Sequence, residues 1–252
     1  MKLLYLWGLS VHQGHSEPLM QFVSDLGAIA PEANIFTMVM AMEATMVFLF
    51  SAIRHGGLKA YIQSNTANIN YNNNNYDNDA KVTAHRLTQY NKWSLVIGLV
   101  FGWALMGTAS FRTSEGIIVL VVHGFHACIG FSLIMLDMGL QSEIAYARGR
   151  PWTGRFRRFL AVVSFTLILV MMVMMGWSLL ELDNPFHFMN INIRMRWSES
   201  QPGYLPHVIS AFLEWAVILI VCPYFWTFIS EFKGYSLSFK VENKRKELQT
   251  DV

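Results

Sequence analysis

Apolar residues in this chain neither alternate with polar ones at the period of a strand nor keep to one stripe of a helix. They fill long runs, and five of these lie near 35–53, 93–111, 116–136, 159–180 and 208–229. Crossing a hydrocarbon core about 30 Å thick takes roughly 20 such residues in a helix. A lipid-embedded backbone must satisfy its amides internally, and barrel-strand alternation is absent, so the pattern predicts an all-α polytopic membrane helix bundle with five spans. Trp93, Phe111, Phe159, Trp177, Tyr224 and Trp226 fall at or near the expected ends, where interfacial aromatic belts occur. The whole of 1–252 reads as a single membrane domain.

The polar positions supply the orientation. Fifteen of the 19 Lys and Arg residues sit in three stretches. Arg54, Lys59, Lys81, Arg86 and Lys92 form one, and Arg148, Arg150, Arg155, Arg157 and Arg158 the next. Lys233, Lys240, Lys244, Arg245 and Lys246 lie in the tail. Alternating spans put all three on one side, the cytosolic side by the positive-inside rule. The expectation is a lumenal or extracellular N-terminus and a cytosolic tail over 231–252. Residues 64–80, rich in Asn and Tyr, read as a disordered cytosolic insertion.

Composition removes several function classes. The chain is 53% hydrophobic and 14% charged with net charge +2, against about 25% charged in soluble domains, so nucleic acid is not an expected partner. Cys128 and Cys222 lie inside apolar runs; two such thiols support neither a disulfide framework nor a thiolate metal site. No Asn-X-Ser/Thr sequon occurs. Met1–Val11 is apolar but too short to span. It reads as a re-entrant stub, a lumenal segment, or the end of a first helix whose upstream half is missing from the chain. The inner loop Arg148–Arg158 either sets topology alone or also meets anionic lipid headgroups. The outer loop Glu181–Pro206 is expected to fold over the membrane surface.

Ionisable residues inside spans cost roughly 2.5–3.5 kcal/mol on insertion scales, so each asks for a partner or a role. The candidates are Glu43, His123, His126, Asp137 and Glu214. Asp137 falls at an inner boundary that water reaches, the blandest reading. His207 and Glu214, seven apart, share a face of the last helix. No His-Glu-X-X-His or Gly-X-Ser-X-Gly sequence is present, so catalytic residues, metal ligands and cofactors are all expected to be none. Helix–helix hydrogen bonding is the stronger reading for these groups. Gly98, Gly102, Gly107, Gly124 and Gly130 fit close packing, Met171, Met172, Met174 and Met175 fit bulk packing, and Pro223 is expected to kink the last helix.

Several short stretches then resemble one family. They are Gly14-His15 through Pro18, Val23-Ser24-Asp25-Leu26-Gly27, Pro31-Glu32-Ala33-Asn34-Ile35-Phe36, Val121-Val122-His123 and Leu140-Gln141-Ser142. The most specific is His207-Val208-Ile209-Ser210-Ala211 leading to Glu214-Trp215, then Tyr224-Phe225, Thr227-Phe228 and Glu231-Phe232. Together they resemble the damage-regulated autophagy modulator (DRAM) family from about Gly14 to Phe239, with the Asn-rich loop and Glu181–Tyr204 poorly matched. Ala30, Leu26 and Gly124 depart from the family's usual Pro, Thr and Asp. The resemblance implies a six-helix protein with both ends cytosolic, Leu3–Val11 being the last turns of the first helix. It further implies non-enzymatic promotion of autophagy at the lysosomal or endolysosomal membrane. Wider relatives imply the alternative of GPI-lipid remodelling at the Golgi, or phosphoinositide and phospholipid organisation at the plasma membrane. Membrane lipids are the expected partners. Asp25, Glu32, His123, His207 and Glu214 are the expected polar cluster, with His207 pairing with Asp25 or Glu32.

Overall fold

The computed structural model describes residues 2–17, 21–72, 78–236 and 238. Among these the regular structure is helical: α1 (Lys2–His12), α2 (Glu32–Asn72), α3 (Asn78–Ser110), α4 (Ile117–Ala147), α5 (Pro151–Leu180), α6 (Ile191–Arg194), α7 (Tyr204–Trp226) and α8 (Ile229–Phe232). Short 3₁₀ turns occupy Asp25–Gly27 and Pro185–Met189. Helices α2, α3, α4, α5 and α7 are long and apolar enough to cross a membrane, so the five-span bundle expected from the apolar runs is present. At 1.5 Å per residue, α1 covers only about half a hydrocarbon core.

The five long helices run alternately up and down, α2 against α3, α3 against α4, α4 against α5 and α5 against α7. One end of the bundle gathers the C-terminus of α1, the Asp25–Gly27 turn, the α3–α4 link and the α5–α7 loop. The other carries the ends of α2, α4 and α7, with the starts of α3 and α5. The first is called the strap end below, the second the basic end.

The surface is inverted relative to a soluble protein. Phe159, Val162, Phe165, Leu169, Met172 and Val173 of α5 point outward, whereas its buried side includes Gly154, Arg157, Ser164 and Ser178. Small and hydrogen-bonding residues face the neighbours because lipid tails already solvate leucine, leaving close packing and polar bonds to hold helices together. Three apolar clusters stack along the bundle. One joins Leu6, Val23, Leu26, Phe36, Met40, Ala109 and Trp215 at the strap end. Another joins Val47, Phe101, Ile134, Met138, Leu160, Tyr224 and Phe228. Leu58, Leu87 and Ile144 pack beyond it toward the basic end.

Two boundaries differ from the reading of apolar runs. Helix α2 has 41 residues, about 60 Å at the helical rise, and continues through the described part of the Asn-rich stretch; α3 resumes at Asn78. Hydropathy marks where lipid ends, not where the helix does, since extending an established helix fixes one residue per new hydrogen bond. Residues 73–77 of that stretch, and the tail from 239 with Lys240, Lys244, Arg245 and Lys246, lie outside the described residues. Pro223 lies inside α7, which ends three residues later at Trp226, and α8 starts after Phe228.

The α5–α7 loop is closed at its base. The Ser178 hydroxyl donates to the Gly203 carbonyl at 2.8 Å, and the Gly203 amide donates to Glu181 Oε2 at 2.8 Å. Gly203 has φ 75°, and a Cβ there would run into the Ser178 carbonyl, so glycine is required.

Candidate functional site

The strap end is organised by residues 21–25, which lie across α7 and the α5–α7 loop. The Gln21 carbonyl accepts from Trp215 Nε1 at 2.9 Å. The Phe22 ring stands edge-on to His207 at 5.1 Å. The Val23 amide donates to Glu214 Oε2 at 2.5 Å. Three consecutive residues thus dock onto one face of α7, where 207, 214 and 215 come round at helical spacing. Glu214 therefore satisfies a backbone amide in a non-helical segment, which no helical ladder would reach.

Asp25 receives Arg194. Nε donates at 3.0 and 2.9 Å to the two carboxylate oxygens, and Nη2 donates to Oδ1 at 2.7 Å. Thr113 Oγ1 adds a donor at 3.0 Å. Both charges are almost wholly buried, at 2% exposure each. Arg194 also donates to the Phe188 carbonyl at 3.0 Å, so one guanidinium ties the 3₁₀ turn, the α3–α4 link and the α5–α7 loop together. A planar fork suits this task, since it meets both carboxylate oxygens at once.

Four of the five expected cluster residues therefore find partners other than one another. Glu32 takes His15 Nδ1 at 2.9 Å. His123 Nδ1 lies 2.7 Å from the Phe111 carbonyl; a carbonyl only accepts, so that nitrogen carries the proton. Asp25 and Glu214 are bound as described. The expected pairing of His207 with Asp25 or Glu32 is corrected. His207 sits instead among Phe22, Trp197 at 4.5 Å and Phe188 at 6.5 Å, and its buried Nδ1 has no hydrogen-bond partner among the described residues. Asp25 is taken by the bidentate Arg194 and Glu32 Oε1 by His15. Arg194 lies 169 positions from Asp25, and no local spacing announces it.

Two further networks occupy the basic end. Arg54 of α2 donates to Asp137 of α4 at 2.6 and 2.9 Å. The Tyr224 hydroxyl of α7 donates to Asp137 at 2.5 Å, and Arg54 reaches the Ser94 carbonyl of α3 at 3.1 Å. Asp137, expected to meet water, is instead buried at the crossing of four helices. Nearby, Arg157 is fully buried (0% exposed), donating to Glu231 at 2.7 Å and Thr227 at 2.9 Å with Phe228 below it at 3.9 Å. Arg148 pairs with the same Glu231. Two of the inner-loop arginines thus hold α8 in place, while Arg158 forms an exposed pair with Glu143. His126 is a core residue, with Trp103 and Phe111 around it. Glu43 is exposed on α2. Among the described residues, no three His, Cys, Asp or Glu side chains gather to hold a metal ion.

Comparison with known proteins places this architecture. DNA damage-regulated autophagy modulator protein 1 of Xenopus laevis is 28% identical over 243 residues, covering 95% of this chain and 88% of that protein. The human protein of that name is 27% identical, covering 93% and 86%. DNA damage-regulated autophagy modulator protein 2 of Bos taurus is 25% identical, covering 92% and 79%. No solved structure matches the chain. A family model described as the Frag1/DRAM/Sfk1/Cwh43P N-terminal domain matches residues 1–235, nearly the whole bundle with its strap and both sets of buried ion pairs, and the chain belongs to that family.

Proposed function

We propose that this multi-pass membrane protein modulates autophagy from the lysosomal or endolysosomal membrane, without catalysing a reaction. The observation that carries the reading is similarity over 92–95% of the chain to proteins named as autophagy modulators. The geometry supports a non-enzymatic part. Asp25, Glu32, Glu214, Asp137 and Glu231 each hold an arginine, a histidine or a backbone amide, so the buried carboxylates serve the fold. The strap end faces the lumen and the basic end the cytosol, because Arg and Lys resist translocation.

The test is localisation of a C-terminally tagged chain together with autophagic flux, wild type against Glu214→Gln and His207→Ala. Colocalisation with lysosomes, a tag accessible from the cytosol, and reduced flux in correctly localised variants are expected. Golgi or plasma-membrane residence with unchanged flux and altered lipid composition would replace this reading with a lipid-handling one.

A further inference from the structure

Two clefts among the described residues differ in what they can hold. The one beside Arg54 and Asp137 encloses about 10 Å³, no more than one water requires. The other lies inside the α5–α7 loop and encloses about 80 Å³, enough for a small organic group but not for an acyl chain. Its walls are Leu182, Asp183, His187, Phe188, Ile193, Trp197, Gln201 and Pro202.

Its inner wall is aromatic and fixed. Trp197 is buried, and its indole N–H donates to the Pro202 carbonyl at 3.1 Å. His207 backs the wall, at 4.5 Å from Trp197 and edge-on to Phe188. At the rim stands Asp183, exposed, and no cation pairs with it among the described residues. Neighbouring charges add to its sign. Arg194 is neutralised by Asp25 and already covers the Phe188 ring at 5.0 Å, and Arg196 donates to the Gly14 carbonyl. Within the loop and its anchor, Asp25, Glu181, Asp183 and Glu199 stand against Arg194 and Arg196. An aromatic wall with a free carboxylate at its mouth is the arrangement that binds organic ammonium ions, whose charge is attracted to the ring faces and whose methyl or methylene groups cover them.

Position narrows the source. Leu182 lies two residues beyond the end of α5, where Trp177 and Leu180 still face outward. The cleft therefore opens where the apolar surface ends, at the depth of lipid headgroups. We propose that this cleft binds an organic ammonium group, with Asp183 as counter-ion and Trp197 as the ring wall, the ammonium being that of a phospholipid headgroup or of a soluble amine.

The test uses the full chain in nanodiscs of phosphatidylglycerol, which lacks an amine. Tetramethylammonium is titrated at constant ionic strength against sodium, with binding read by saturation transfer to its methyl protons. A saturable signal is expected, with affinity falling about fivefold or more in Asp183→Asn and about twofold in Trp197→Phe. Asp183 makes no hydrogen bond among the described residues, so its variant retains the fold. In mixed phosphatidylcholine and phosphatidylglycerol discs, retention of the choline lipid by wild type but not by Asp183→Asn assigns the headgroup. Tetramethylammonium binding without that retention assigns a soluble amine. Absence of saturable binding by wild type, or equal affinity in Asp183→Asn, overturns the proposal.

Discussion

Both ends of the bundle bury arginine–carboxylate pairs, yet they are built in opposite ways. At the basic end three of the four partners stand on long helices: Arg54 with Asp137 joins α2 to α4, and Arg157 of α5 holds Glu231 of the short α8. At the strap end Asp25 and Arg194 sit on a 3₁₀ turn and a one-turn helix, segments with little regular structure of their own. Satisfaction differs as well. Buried side-chain atoms lacking a partner among the described residues include Ser16 Oγ, Gln21 Oε1, Glu32 Oε2, His207 Nδ1 and Ser210 Oγ at the strap end, against Arg148 Nε at the basic end. Most buried polar atoms in proteins are paired. Within the protein itself, the basic end pairs more of its buried polar atoms than the strap end does.

Removing one member at the basic end should have the largest effect. Asp137→Leu leaves the Arg54 guanidinium buried and unpaired, and should cost about 3–5 kcal/mol, measured as a lowered thermal or denaturant midpoint in detergent. Adding Arg54→Met should recover much of that loss, because two apolar side chains need no partner. At the strap end, Arg194→Leu should lower the midpoint less, since the five long helices remain packed. Its signature should be faster amide hydrogen exchange through residues 182–202 and 21–27, a local opening below the global one. Equal midpoint losses for Asp137→Leu and Arg194→Leu would abolish the distinction between the ends. The smallest change belongs to Arg158→Ala. Its pair with Glu143 is about half exposed on both sides (55% and 47%), so chemical denaturation should report no more than about 1 kcal/mol.

The spans were legible because hydropathy measures the property lipid selects, and five runs became five membrane-length helices. Partners were not legible to the same degree. Asp25, Glu32, His123, His207 and Glu214 lie toward one end. Which groups they bind depends on residues 12 to 191 positions away, brought in by loops that hydropathy does not order. Arg194, outside the three basic stretches, is the centre of that end. Arg157 looked like a topology signal and is wholly buried. A charge count cannot tell these apart, since an arginine that resists translocation and one that clamps a helix are the same residue at the same boundary.

The clasp at Gly203 has a consequence for how the chain tolerates change. Ser178 and Glu181 hold the two feet of the 182–202 excursion together regardless of what lies between them. Closing a longer excursion across fixed feet costs only about 0.6 kcal/mol per doubling of its length. Insertions at the exposed turn Ser198–Gln201 should therefore leave α5 and α7 in register, making that turn the natural place to graft an epitope or a reporter, and the part of the chain freest to acquire new recognition without rebuilding the bundle.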